Sequence, residues 1–145
     1  MADYISILLA DDHTLIQSAI RIFLNSQRNM EVVAVAADGA EAVRMTGTLQ
    51  PDVVILDAVM PVLNGIQAAH EITQLPSPPK VVILSFYSMP ELVLKAFDVG
   101  CAAYVVKSSK GDELIEAIHE ALAGRAFLSA RLRHLQADVE KHFRA

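Results

Sequence analysis

Three aspartates, a serine and a lysine each close an apolar run in this sequence. Ile5–Ala10 stops at Asp11-Asp12, the run from Asp52 stops at Asp57, the run from Lys80 at Ser85, and Ala102–Val106 at Lys107. If these runs are parallel strands of one sheet, all five residues meet at its carboxyl edge, where open α/β sheets bind ligands. Three close carboxylates repel one another and resist desolvation unless a cation is present. Hard oxygen donors in that arrangement suit Mg²⁺, which is held by one or two carboxylates and keeps several waters. A carboxylate is also a nucleophile toward phosphorus. The lysine can then pair with one phosphoryl oxygen and the serine hydroxyl donate to another. Each residue has an ordinary alternative: Asp12 as a helix cap, Asp57 as a turn residue, Ser85 as a loop hydroxyl, Lys107 as a solvated lysine. The joint placement is what favours the chemical reading.

The elements that must position these residues follow from apolar periodicity. Strands are expected over Ile5–Ala10, Glu31–Ala36, Asp52–Asp57, Lys80–Ser85 and Ala102–Val106. Helical spacing runs from His13 to Asn25, with Asp12 a plausible N-cap, and from Asp38-Gly39 to about Leu49. Further helices run from about Gly65 to Gln74, from Pro90 to near Val99 with Gly100 as the cap, and over Asp112–Ala123. Pro76, Pro78 and Pro79 exclude helix or central strand between the third helix and the fourth strand. Strict strand–helix alternation with apolar strands predicts an α/β protein with a parallel sheet covered on both faces. The expected architecture is a flavodoxin-like (βα)5 fold with a five-stranded sheet in the order 2-1-3-4-5. A last helix is expected from Ser129, with Leu132, Leu135, Val139 and Phe143 near one face. It reads as an amphipathic appendage in need of a partner surface. The division is thus 1–128 for the main domain and 129–145 for a linker or dimerisation helix.

Composition narrows the class. The chain has 145 residues, 53% of them hydrophobic and 20% charged, which suits one globular domain. The net charge of −5 argues against a general nucleic-acid surface. Up to Leu128 there are eight basic and fifteen acidic residues, against four and two from Ser129 onward, so the tail differs from the body. No apolar run spans a bilayer, and Asp3 without a basic region is unlike a signal peptide. Cys101, the single cysteine, reads as a buried small hydrophobe in a reducing compartment, which implies a cytoplasmic protein.

Four motifs together resemble the receiver domain of two-component response regulators, over roughly residues 4–128. They are Leu-Leu-Ala-Asp11-Asp12-His13, Val53-Val-Ile-Leu-Asp57-Ala-Val-Met60-Pro61 with Gly65, Val81-Val-Ile-Leu-Ser85, and Ala103-Tyr104-Val-Val-Lys107. The resemblance implies that Asp57 accepts a phosphoryl group from a histidine kinase, with Lys107 and Ser85 assisting. It implies that Asp11, Asp12, Asp57 and the carbonyl of Val59 organise Mg²⁺. It also implies that Ser85 and Tyr104 form a switch, with Tyr104 moving inward when the hydroxyl engages phosphate. The Ala-Asp-Asp-His opening and the Ala-Gly-Arg-Ala-Phe-Leu-Ser ending resemble the subfamily whose receivers precede a LuxR-type DNA-binding domain. The sequence stops where such a domain would begin, so DNA is expected as a partner only through that effector. Homodimerisation on phosphorylation is a further expectation, and no membrane partner is implied.

Two departures from the family pattern stand out. Phe86 follows the switch serine, where a small residue is usual, and a ring there narrows access to the site. Ser108, not proline, follows Lys107. His13 follows the strand end and is expected on the first helical turn, outside the ligand set. The alternative function is a receiver-like binding module that no longer uses phosphate, favoured only by Phe86. A phosphohydrolase with an aspartyl intermediate is disfavoured because Val59 stands where such enzymes usually carry a second acid. The expectation is a signalling switch, not a turnover enzyme.

Overall fold

Alternating residues of the central strands face two separate apolar layers, and this alternation fixes the architecture. The structure, a computed structural model, describes residues 4–107 and 111–144, without the side chains of Phe143 and Arg144. Asp3, Ser108 and the side chain of Phe143, all used above, lie outside the described residues. The strands are β1 (Ile5–Ala10), β2 (Met30–Ala36), β3 (Val53–Asp57), β4 (Lys80–Ser85), β5 (Ala103–Val106) and β6 (Phe127–Leu128). The helices are α1 (Thr14–Asn25), α2 (Gly39–Leu49), α3 (Gly65–Thr73), α4 (Pro90–Asp98), α5 (Gly111–Leu122) and α6 (Gln136–Arg144). All strand pairs are parallel, in the order β2-β1-β3-β4-β5-β6.

Leu8, Val54, Leu56, Ile83 and Tyr104 pack with α2, α3 and α4 on one face. Ile7, Leu9, Ile55, Leu84 and Val105 pack with α1 and α5 on the other. Both faces are therefore dry, as the run-like strands implied. Cys101 is fully buried, as its apolar neighbours suggested.

Local signals set the starts of α2, α3 and α4. Asp38 accepts from the Glu41 amide at 2.8 Å, while Glu41 Oε1 accepts from the Ala37 amide at 3.0 Å. Asn64 and Gln67 form a reciprocal capping box at α3, and Pro90 opens α4. Gly100 has φ +107°, the left-handed turn that ends α4. The first helix departs from expectation. Asp12 does not cap it; His13 is the N-cap residue, and its side chain makes no capping bond. The amide of His13 is instead taken by Asp11 Oδ1 at 2.8 Å, which delays the helix to Thr14.

The C-terminal segment also differs. The sheet has six strands, not five, because Phe127–Leu128 adds to the open edge of β5. Phe127 N donates to Ala102 O at 3.1 Å and Ser129 N to Tyr104 O at 3.1 Å. Two residues are too short a run to register as a strand by periodicity. Ser129 is the N-cap residue of a 3₁₀ helix and not of the α-helix expected, and its side chain makes no capping bond. Its buried hydroxyl accepts from the Val106 amide at 2.8 Å, so Ser129 satisfies the sheet edge instead. A 3₁₀ turn over Ala130–Leu135 follows, and only then α6. Leu132, Leu135 and Val139 are buried in the same core layer as α4 and Tyr104. The expected appendage thus finds its partner surface within the domain.

Replacing Leu132 with Ala should lower unfolding free energy by about 2–4 kcal/mol in urea titrations. A change near zero would mean that this segment is not docked in solution.

Candidate functional site

The sheet brings the strand-end residues together as expected. Lys107, at the end of β5, lies with its side chain only 3% exposed between two acids. Its Nζ is 2.7 Å from Asp11 Oδ2 and 3.1 Å from Asp57 Oδ2. The contact to Asp11 Oδ2 is an ion pair whose angles fall outside hydrogen-bond geometry, while that to Asp57 is a hydrogen bond. At these separations the charge contact dominates in both. Asp57 Oδ1 accepts from the Val59 amide at 3.2 Å. It is therefore the Val59 peptide N–H that touches the acid.

Burial pushes the Asp57 carboxyl above its ordinary value of 3.8. The Val59 N–H and the Lys107 charge pull it back, and the Asp11 charge adds to the rise. Asp12, by contrast, faces solvent with its side chain 35% exposed. Asp11, Asp12, His13 and Asp57 each offer a donor atom within 4.8 Å of the others. The three carboxylates have the donor chemistry and spacing that a hard divalent cation requires.

Gly65 shows how tightly the acid is mounted. The start of α3 lies against the backbone of Asp57, where a Cβ would collide with its carbonyl, and the Gly65 amide donates to Ala58 O at 3.0 Å. The loop between them carries Val62 at φ +69°, with Leu63 N donating to Pro61 O at 2.8 Å. This is a classic γ-turn, a strained conformation for a β-branched residue.

Ser85 and Tyr104 lie beside the acids. Ser85 is fully buried; its hydroxyl accepts from the Tyr87 amide at 3.0 Å, and its carbonyl accepts from the Lys107 amide at 2.7 Å. Tyr104 is also fully buried, and its hydroxyl donates to Tyr87 O at 2.7 Å. Its phenol lies above its usual range because burial disfavours the phenolate. The tyrosine is thus already inward, with Ser85 bonded to the same residue.

Phe86 is half-exposed over the site, with Lys107 Nζ 4.9 Å from its ring centre. His13 is the one residue near the acids that was set aside from sequence. Its imidazole turns back over the cluster and stands edge-on to Phe86 at 6.3 Å. The Asp11-Asp12-His13 order was the available signal, but helix-turn placement could not show where the ring points.

A parallel α/β sheet with an acid cluster and a buried lysine at its carboxyl edge is the receiver architecture of response regulators. The response regulator receiver domain family matches residues 7–119, and the chain belongs to that family. Members of this family are signalling domains. The chain is 34% identical over 146 residues to the transcriptional regulatory protein LiaR of Bacillus subtilis (strain 168), covering 95% of this chain and 69% of that protein. It is also 34% identical to the oxygen regulatory protein NreC of Staphylococcus epidermidis, over 87% of this chain and 58% of that one. A LuxR-family two-component response regulator from Aurantimonas sp. SI85-9A1 has the same fold, with a TM-score of 0.87, 33% identity, and coverage of 95% of this chain and 99% of that one. The chain spans roughly half to two thirds of the length of the curated relatives it matches. Among the described residues no helix is long and apolar enough to cross a membrane.

The raised pKa of Asp57 sets a signed expectation for metal-free protein. The cost of its ionisation is absent below the unfolded value of 3.8 and fully present above the raised folded value. Asp57→Asn should therefore be more stable than wild type at pH 7 in a chelating buffer. That advantage should shrink as pH falls through the folded value toward 3.8 in chemical denaturation series. An advantage that grew on acidification would contradict this electrostatic account.

Proposed function

We propose that this chain is a phosphorylation-dependent switch of a two-component system, acting in the cytoplasm and accepting a phosphoryl group on Asp57 from a histidine kinase. The observation that carries the reading is the buried Lys107 ammonium held between Asp11 and Asp57. One oxygen of the Asp57 carboxylate attacks phosphorus as the bond from phosphorus to the donor's histidine nitrogen breaks, leaving that histidine neutral once reprotonated. Lys107 moves its charge onto the incoming phosphoryl oxygens, and the Ser85 hydroxyl exchanges the Tyr87 amide for one of them. Asp11, Asp12, Asp57 and the Val59 carbonyl would hold Mg²⁺. That ion supplies charge neutralisation to the transferring phosphoryl group.

The output follows from the shared anchor on Tyr87. Ser85 and Tyr104 both bond to Tyr87, so drawing the hydroxyl toward phosphate releases its amide and repacks the loop before α4. Tyr104 lies in one core layer with α4 and the segment through Val139, which gives the change a route to the C-terminal helix. In keeping with its transcriptional relatives, the signal passes from there to a DNA-binding effector domain, with homodimerisation as an accompanying step.

Acetyl phosphate with Mg²⁺ should add one phosphoryl group to wild type by intact-protein mass spectrometry, and none to Asp57→Ala. Absence of label on wild type, together with failure to bind a beryllofluoride mimic, would sink the proposal. A second expectation concerns Phe86, which covers the approach to Lys107. Phe86→Ala should speed hydrolysis of the acyl phosphate by about threefold or more through freer water access, measured as the decay of the labelled species. An unchanged half-life would show that the ring does not limit access.

A further inference from the structure

His13 has a nitrogen that three carboxylates share. Its Nδ1 lies 3.0 Å from Asp11 Oδ1, 3.3 Å from Asp12 Oδ1 and 3.5 Å from Asp57 Oδ2. One N–H serves one acceptor well. Three acidic oxygens crowding a single nitrogen is an arrangement that a cation satisfies and a lone proton does not. The spacings carry the same message. Donor atoms ~2.1 Å from one small ion stand ~3.0 Å apart along an octahedral edge and ~3.4 Å apart along a tetrahedral edge.

The Nδ1 lies within hydrogen-bond distance of Asp11 Oδ1, and the other polar contacts of the ring are to Asp12 and Asp57. The ring makes no capping bond to α1, although His13 is the N-cap residue. Phe86 stands edge-on to it, with ring centroids 6.3 Å apart. The ring is therefore held above the acids, with its polar contacts confined to them.

We infer that His13 is a nitrogen ligand of the cation site and a determinant of which ion it takes. It biases the site from Mg²⁺ toward a borderline first-row ion such as Mn²⁺. Mg²⁺ prefers oxygen donors and retains its waters, whereas imidazole adds affinity for transition ions. The inference rests on the reading of Asp11, Asp12 and Asp57 as a cation-assisted phosphoacceptor site. It adds a fourth side chain to that set and a preference that three carboxylates alone do not confer.

Calorimetric titration of the whole chain with Mn²⁺ and with Mg²⁺, for wild type and His13→Ala, tests it. The half-exposed, non-capping side chain makes this variant safe for folding, and its unfolding midpoint in metal-free buffer verifies that. His13→Ala should lose about tenfold or more in Mn²⁺ affinity while Mg²⁺ affinity stays within about twofold. Pulsed electron paramagnetic resonance of the Mn²⁺ complex should show coupling to a directly bound nitrogen in wild type and lose it in the variant. An unchanged ratio of Mn²⁺ to Mg²⁺ affinity, or nitrogen coupling that persists in His13→Ala, overturns the inference alone. Failure of both ions to bind wild type overturns it together with the magnesium reading, and labelling of Asp57 by acetyl phosphate judges the phosphoacceptor separately.

Discussion

The ammonium of Lys107 is the interaction on which the rest of the site depends. Two buried carboxylates, Asp11 and Asp57, end neighbouring strands, and without a charge between them they would repel across a dry sheet edge. A buried ion pair is weak evidence for stability, because desolvation offsets most of the attraction. Its worth here lies in position. It fixes the ends of β1, β3 and β5 to one point, and it leaves the acids one positive charge short of balance. That deficit is a standing attraction for a divalent cation at the solvent side, where Asp12 is exposed. The same ammonium is already placed to meet an anion that arrives on Asp57.

The fold translates that local charge arrangement into shape. Ser85 and Tyr104 lie on adjacent strands and meet at the backbone of Tyr87, one through its amide and the other through its carbonyl. The loop before α4 therefore has two hydrogen-bonded ties to the sheet edge, and one of them is a hydroxyl within the charged site. Because Tyr104 shares a packed layer with α4 and the C-terminal segment, a change in the loop is felt by close-packed neighbours and not absorbed by solvent. Gly65 contributes the opposite property, since its close approach to the Asp57 carbonyl leaves the Asp57 end of β3 no room to drift.

Much of this was legible in the residues. Apolar runs ending in acids, a serine and a lysine specified both the parallel sheet and the edge at which those groups meet. Asp38-Gly39 and Gly65 marked helix starts to within a residue. What escaped were features decided by geometry beyond the local pattern. Asp12 looked like a cap, but the Asp11 carboxylate took the next amide and moved the helix start. Phe127–Leu128 carries no periodic signal, because two residues cannot show one. Ser129 does precede a helix, but a 3₁₀ helix, and its hydroxyl is taken by an open strand amide. The His13 ring turns onto the carboxylates of Asp11, Asp12 and Asp57, and no spacing rule reports that.

The two-residue sixth strand and Ser129 also govern how this protein behaves in a crowd. A parallel sheet that ended at β5 would present a bare row of amides and carbonyls, the template on which other chains add strands. Here β6 covers part of that row, and the Ser129 hydroxyl occupies the Val106 amide where β6 runs out. On that side of the sheet the edge strand is only the two residues of β6. Tyr104, whose hydroxyl ties the Tyr87 loop to the sheet, belongs to the very strand so protected. The strand that carries Tyr104 is thus shielded from direct pairing with another chain along the length that β6 covers.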